Sequence, residues 1–284
     1  MTKQGNRFVY EQDGEPVLEP TMDHASNETS AHLASPIVEL RQYTLKPGQR
    51  ETLIGLFDLE FVETQEAAGM TIIGQFRDLD RPDMFVWLRG FEDMQARKDA
   101  LTAFYGGPIW AEHRHAANAT MIDSDDVLLL KPAWPTACFD LSGAKRSDAT
   151  SAGKPREESG LNGIVEISIH HLRPGRETSF AERFYTQAVS QIEVNGARLL
   201  GAFITEHAEN SFPRLPVRSG ENVFISVLGL ENEAARQRHA SAIATSPAWQ
   251  AFLARIQPDL AGQTEILRLT PTSRSLVGSR DAPR

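Results

Sequence analysis

Cysteine is almost missing from this chain of 284 residues. The single one, Cys138, rules out an internal disulfide and any site built from several thiolates, and it suits a reducing compartment. With no predicted acid or base beside it, its thiol reads as inert. Positive charge is scarce too: 29 Lys and Arg against 38 Asp and Glu leave a net charge of −9, and no basic run interleaves with aromatics. A surface that tracks nucleic-acid phosphates is therefore not expected. No apolar run approaches the ~20 residues that span a bilayer. The opening MTKQGNRFVYEQDGEPVLEP lacks an apolar signal region, so the expected location is the cytoplasm, with no membrane partner. Neither a glycine-rich phosphate loop nor a nucleophile elbow is present, which removes support for nucleotide-driven and serine-hydrolase chemistry.

What the chain does contain is repetition. Glu39, Pro47, Gly48, Gly69, Gly74 and Phe76 recur 127 residues later as Glu166, Pro174, Gly175, Gly196, Gly201 and Phe203. From Gly90, Glu92, Pro108, Trp110 and Leu128 the offset becomes 139, pairing them with Gly229, Glu231, Pro247, Trp249 and Leu267. The second repeat thus carries 12 extra residues, in the Pro- and Gly-containing stretch Asn210 to Glu221, which reads as a long loop. The expected organisation is an N-terminal arm over 1–35, a first domain over 36–135, a Ser-, Gly- and charge-rich linker over 136–160, a second domain over 161–271 and a tail over 272–284. Arm and tail read as poorly ordered ends, with Phe8, Val9 and Tyr10 as a pin for the arm.

Each repeat spells the same fold. In VELRQYTLKPG, Val38, Leu40 and Gln42 alternate with Glu39, Arg41 and Tyr43, the period of a strand, and Lys46-Pro47-Gly48 turns the chain. Leu53, Phe57 and Phe61 then recur at helical spacing, as do Phe180, Phe184 and Ala188. MTIIGQF and MFVWLRGF read as two further strands. A helix with Met94, Leu101 and Phe104 on one side follows, then a helical turn opening at Pro108 or Pro247, with Ser246 as N-cap, and a last strand. The order β-α-β-β-α-β is the ferredoxin-like split unit, so the class is α+β. Such a unit leaves one sheet face bare, and two of them cover each other face to face as a barrel with helices outside.

VELRQYTLKPG, GQFRDLDRPDMFVWLRGFEDM and LTAFYGGPIWAEHRHAANATMIDSDDVLLL resemble the NIPSNAP family of the dimeric α/β-barrel superfamily, closely over Ile37 to Pro132 and more loosely over Ile164 to Pro271. The resemblance implies the barrel. It also implies a range of chemistries set in the lumen: cofactor-free oxygenation, haem degradation, peroxidation, lactone isomerisation and polyketide cyclisation. It implies a homodimer as well, although duplication makes an intrachain pseudo-dimer the alternative.

If Val38, Leu40, Val86 and Leu88 face the helices, Glu39, Arg41, Tyr43, Phe85, Trp87 and Arg89 face the lumen. Tyr, Trp and two Arg on one wall suit a flat organic anion. The alternative is structural: Glu39 pairs with Arg41, Trp87 fills core, and for Glu39, kept as Glu166, that alternative is the stronger. In the second repeat Ser168, His170, Ser226 and Leu228 replace Arg41, Tyr43, Trp87 and Arg89, leaving His170 as a titratable group on an otherwise edited wall. His113 aligns with Phe252 and so is expected to point inward, as a base, a haem ligand or a satisfied core histidine. Arg114, Asn118 and Asp123 read as a polar rim. His170 with His171, and His113 with His115, fall on opposite faces of their elements, so no metal site is expected.

Three functions remain open on the sequence. The first is a small-molecule barrel with acid–base chemistry at His113, His170 or Tyr43 and no cofactor. The second is a scaffold. The third is a haem protein ligated by His113 or His170.

Overall fold

The computed structural model describes residues 35–148 and 163–278. The arm with Phe8, Val9 and Tyr10, and residues 149–160 of the linker, lie outside the described residues. The first repeat runs β1 (Ile37–Leu45), α1 (Arg50–Leu56), a π-helical turn (Phe57–Phe61), α2 (Val62–Ala67), β2 (Thr71–Asp78), β3 (Met84–Phe91), α3 (Met94–Gly106), α4 (Pro108–Thr120) and β4 (Met121–Pro132). The second runs β5 (Ile164–His171), α5 (Glu177–Arg183), a π-helical turn (Phe184–Ala188), α6 (Val189–Val194), β6 (Arg198–Thr205), β7 (Val223–Leu230), α7 (Glu233–Thr245), α8 (Pro247–Ile256) and β8 (Glu265–Pro271).

The sequence writes its helix starts twice, and the structure uses them. Asp93 caps α3 by accepting from Ala96 N at 2.7 Å, and its counterpart Asn232 caps α7 by accepting from Ala235 N at 2.9 Å. Ser246 Oγ accepts from Trp249 N at the head of α8, with Pro247 in the first turn.

The strands close into one antiparallel barrel in the order β1-β3-β2-β8-β5-β7-β6-β4. Two seams join the repeats. Phe76, Arg77 and Asp78 pair with Pro271, Thr270 and Leu269, and Leu130, Lys131 and Pro132 pair with Thr205, Ile204 and Phe203. The barrel is therefore an intrachain pseudo-dimer.

The two faces of the strands are the reverse of what the sequence pattern suggests. Val38, Leu40, Val86, Leu88, Leu128 and Leu130 join Val165, Ile167, Ile169, Ile225, Val227, Leu267 and Leu269 in one buried cluster drawn from both sheets and from no helix. That cluster fills the lumen. A barrel of eight strands is just wide enough for its own side chains to pack it, and an apolar filling leaves no place there for buried ions. Glu39, Arg41, Tyr43, Trp87 and Arg89 instead lie on the opposite face of β1 and β3, where Tyr43, Phe85 and Trp87 pack with Leu53, Phe57, Phe61, Leu101 and Phe104 of the helices.

Segments outside the two expected domains also pack on the barrel. Residues 272–278 are no loose tail: Thr272, Ser273, Arg274, Ser275 and Val277 are buried. Thr272 N donates to Gln75 O at 2.8 Å and Val277 N to Ile73 O at 3.1 Å, so the segment runs on along β2. Phe139 from the linker side packs on Phe203 at 5.0 Å and joins the lumen cluster, as does Val277. These close approaches explain the shared glycines. A Cβ on Gly74 would stand 2.5 Å from Phe76 Cζ, and one on Gly201 2.7 Å from Phe203 Cε2.

Candidate functional site

Between the outer face of the first repeat's sheet and its helices lies a cavity of about 330 Å³. Its depth is aromatic: Tyr43 and Trp87 from the strands meet Phe57 and Phe61 of the π-helical turn and Phe104, Tyr105 and Trp110 of α3 and α4. Around Trp87 ring edges meet ring faces, with Tyr43 to Trp87 at 5.9 Å and Phe57 to Trp87 at 4.8 Å. The π-helical turn places Phe57 and Phe61 on this wall.

Cross-strand register sets the charged floor. Arg41 stands opposite Trp87, and Glu39 opposite Arg89, on adjacent strands β1 and β3. Glu39 Oε2 accepts from Arg41 Nη1 at 2.6 Å and from Arg89 Nε at 2.8 Å, and Glu39 Oε1 accepts from Arg97 Nε at 2.6 Å. All four side chains are out of solvent contact or nearly so. Burial alone would raise the Glu39 carboxyl, but Arg89, Arg41 and Arg97 outweigh it and hold it well below the usual carboxylate range. One carboxylate thus serves three guanidiniums, which leaves unbalanced positive charge behind the cavity wall. Arg41 and Arg89 also lie over the Trp87 ring, at 5.5 and 5.1 Å.

Of these groups only Arg41 reaches the cavity. Its Nε donates to Tyr43 Oη at 3.0 Å, so the tyrosine oxygen is occupied as an acceptor and its own hydrogen is available to a ligand. Burial pushes the Tyr43 hydroxyl above its ordinary range despite Arg41, so it stays protonated. Trp87 adds an indole N–H with no hydrogen-bond partner among the described residues. At the mouth, exposed Arg114 and Asn118 of α4 stand with Ser124 of β4 and with Arg214 from the long loop of the second repeat. Three arginines line this cavity, and no acidic side chain does.

The structure separates the other sequence candidates. Glu39 and Arg89 sit behind the wall as the organising ion cluster. His113 does not point into the cavity: its Nε2 faces Glu60 at 3.6 Å on the outer side of α4, half-buried. His170 belongs to the second repeat's own sheet–helix layer, with Phe180 at 5.2 Å and Phe224 at 6.0 Å, and it pairs through Nδ1 with Thr264 Oγ1 at 2.9 Å. Burial there lowers its pKa from 6.5 to about 4. No wall combines it with Arg41, because the two lie on helix-facing sides of different sheets. In the second repeat Ile192, Leu228, Phe252 and Ile256 join one apolar cluster at the positions of Gln65, Arg89, His113 and Ala117. Asp123 lies off the cavity lining, where Ser124 takes its place. Among the described residues no group of His, Cys, Asp or Glu could hold a metal ion, and no helix is long and apolar enough to cross a membrane.

Two features escaped the sequence pattern. Arg97 was legible in principle, since it recurs as Arg236 at the same 139 offset as its neighbours while Glu39 recurs as Glu166. Phe212, Arg214 and Leu215 were not legible, because a loop in one repeat gives no local sign of reaching the other.

Residues 38–135 match the NIPSNAP family. The first repeat is a NIPSNAP domain. Among solved structures, the putative monooxygenase of Lactobacillus acidophilus is similar over 84% of this chain and 94% of its own, with TM-score 0.52 and 12% identity. A protein of the same description from Fusobacterium nucleatum covers 88% of this chain and 99% of its own, with TM-score 0.54 and 9% identity. An anthrone oxidase-like protein covers 83% and 90%, with TM-score 0.52 and 11% identity. At these identities the likeness shows the fold, and its near full length supports the tandem arrangement around the NIPSNAP domain. No curated protein matches the chain significantly.

Proposed function

We propose that the cavity of the NIPSNAP domain binds a small, flat, anionic aromatic molecule, in the sheet–helix layer and not in the lumen. The observation that carries this is a ring-lined space with Arg41, Arg114 and Arg214 on its surface and no carboxylate, in a protein of net charge −9. A volume near 330 Å³ suits a ligand of two fused rings. Arg41, preorganised by Glu39 and Tyr43, meets the buried anionic group; Tyr43 donates its hydroxyl hydrogen; Trp87 offers its free N–H.

The lining also constrains the chemistry. It holds no Asp, Glu or His, and Tyr43 is protonated, so no side chain there takes a proton near neutral pH. A reaction in this cavity starts from the ligand's own anion, a phenolate or enolate that Arg41 stabilises. The proteins of similar fold described as a monooxygenase and an anthrone oxidase fit such a start. The same lack of a base supports a second reading, binding without turnover. Haem has less support, because neither His113 nor His170 lines the cavity.

Calorimetry with 2-naphthoate and its neutral isostere 2-naphthamide tests the binding. The carboxylate is expected to bind at least about tenfold more tightly, the worth of one charge-assisted hydrogen bond. Equal affinity for the two would remove the proposal.

A further inference from the structure

The 12 residues that the second repeat has in excess lie in the loop between β6 and β7, and this loop reaches over to the first repeat. Phe212 is buried and stacks on Tyr105 at 6.0 Å with the rings 26° apart. Arg97 Nη1, whose guanidinium also holds Glu39, donates to Asn210 Oδ1 at 3.0 Å and Ser211 Oγ at 3.1 Å. Arg218 N donates to Val127 O at 2.9 Å, and its side chain donates to Asp126 Oδ1 at 3.2 Å on β4. Asn210 fixes the bend from within, accepting from Phe212 N at 3.1 Å and donating to Leu215 O at 2.9 Å.

The corresponding connection of the first repeat, between β2 and β3, crosses the other seam in the same sense but is short. It ends at the sheet, where Asp80 accepts from Arg268 Nε of β8 at 2.7 Å. The sheet–helix layer of the second repeat has Ile192 and Leu228 in its apolar cluster, where the first repeat has Gln65 and Arg89. The long loop thus stands against the repeat whose layer holds the arginine-lined cavity, and lends it Phe212, Arg214 and Leu215.

We infer that the Asn210–Glu221 loop is the specificity element of the NIPSNAP cavity, and that it selects an aromatic molecule with acidic groups at both ends. This rests on the proposed binding of an aromatic anion. Arg41 is buried in the depth and meets one acidic group. Phe212 and Leu215 close the wall beside the rings. Arg214 is exposed at the mouth, with its guanidinium over the Phe212 ring at 5.9 Å, and it meets the second acidic group. The second repeat supplies the recognition at the far end of its neighbour's ligand.

The test is calorimetry of the full chain with 2-naphthoate and with 2,6-naphthalenedicarboxylate, for the native protein, Arg214→Gln and Arg214→Lys. Arg214 is solvent-exposed, so neither variant is expected to disturb folding, and a thermal melt checks this. The native protein is expected to prefer the dicarboxylate by about threefold, the scale of one exposed charge contact. Arg214→Gln is expected to erase the preference and Arg214→Lys to keep most of it. A preference unchanged in Arg214→Gln, or no preference in the native protein, overturns the inference while 2-naphthoate binding stands. Failure to bind 2-naphthoate over 2-naphthamide overturns the binding proposal and this inference with it.

Discussion

Arg97 Nε lies 2.6 Å from Glu39 Oε1, with neither side chain exposed. The counterparts Arg236 and Glu166 repeat the pair at 2.8 Å with about a fifth of each side chain in solvent. Because the pair survives in the repeat that has Ser168 and Leu228 in place of Arg41 and Arg89, its first task is to tie the third helix of each unit to its first strand. Only in the first repeat have Arg41 and Arg89 gathered on the same carboxylate.

Glu39→Gln therefore leaves three buried guanidiniums without a counter-charge. The expected loss is about 3–5 kcal/mol of unfolding free energy. Glu166→Gln, with the pair about a fifth exposed and one main partner, is expected to cost less, about 1 kcal/mol. Urea midpoints of the two variants check the asymmetry; equal losses would show that the arginine cluster is not held by Glu39.

His170 makes stability depend on pH. Its folded pKa, about 4, is depressed below the 6.5 of the unfolded chain. The unfolded chain binds the proton first, so stability is full above pH 6.5 and falls as pH drops toward 4. At about 1.4 kcal/mol per pH unit the loss from this group is at most about 3 kcal/mol. His170→Gln should flatten that part of the curve. Urea titrations at several pH values read it, and an identical pH profile in the variant would refute the assignment.

Gly74→Ala and Gly201→Ala are expected to cost similar amounts. Each new methyl meets the edge of a phenylalanine packed in the barrel, Phe76 or Phe203. Overpacking of this kind costs about 1–3 kcal/mol. Differential scanning calorimetry of both variants compares the two ends of the barrel, and a loss confined to one would show that the pseudo-symmetry there is only in the backbone.

Tyr43→Phe removes the hydroxyl hydrogen offered to the ligand while keeping the ring against Trp87. With p-nitrophenol as probe, the native cavity is expected to lower the phenol's pKa on binding, read from nitrophenolate absorbance. The variant should weaken nitrophenolate binding by about tenfold, the value of one hydrogen bond to a charged group. No change in either quantity would place the anion away from Tyr43.

How far the sequence reached follows from what each signal encodes. Duplicated glycines and prolines mark backbone requirements, so Gly74 with Gly201 and Pro108 with Pro247 carried the architecture directly. The assignment of faces failed because alternation tells inside from outside only when one face is wet. Here Val38 and Leu40 are as buried as Glu39 and Arg41, and the polar set goes to the layer where it finds partners. His113 was misjudged by alignment with Phe252, since α4 turns that position toward Glu60 on the rim of the bundle. The destination of Phe212 depends on the seam between β4 and β6, a long-range pairing that no local pattern reports.

The seams have one more consequence. In a barrel made from two identical chains, every substitution appears twice, so a change that improves one binding space is imposed on the other, and dilution separates the halves. Here β2–β8 and β4–β6 join parts of a single chain. The halves stay at a fixed effective concentration however dilute the protein is, and each position is free to change alone. Ser168 could replace an arginine, and a loop could lengthen by 12 residues, without either event touching its counterpart.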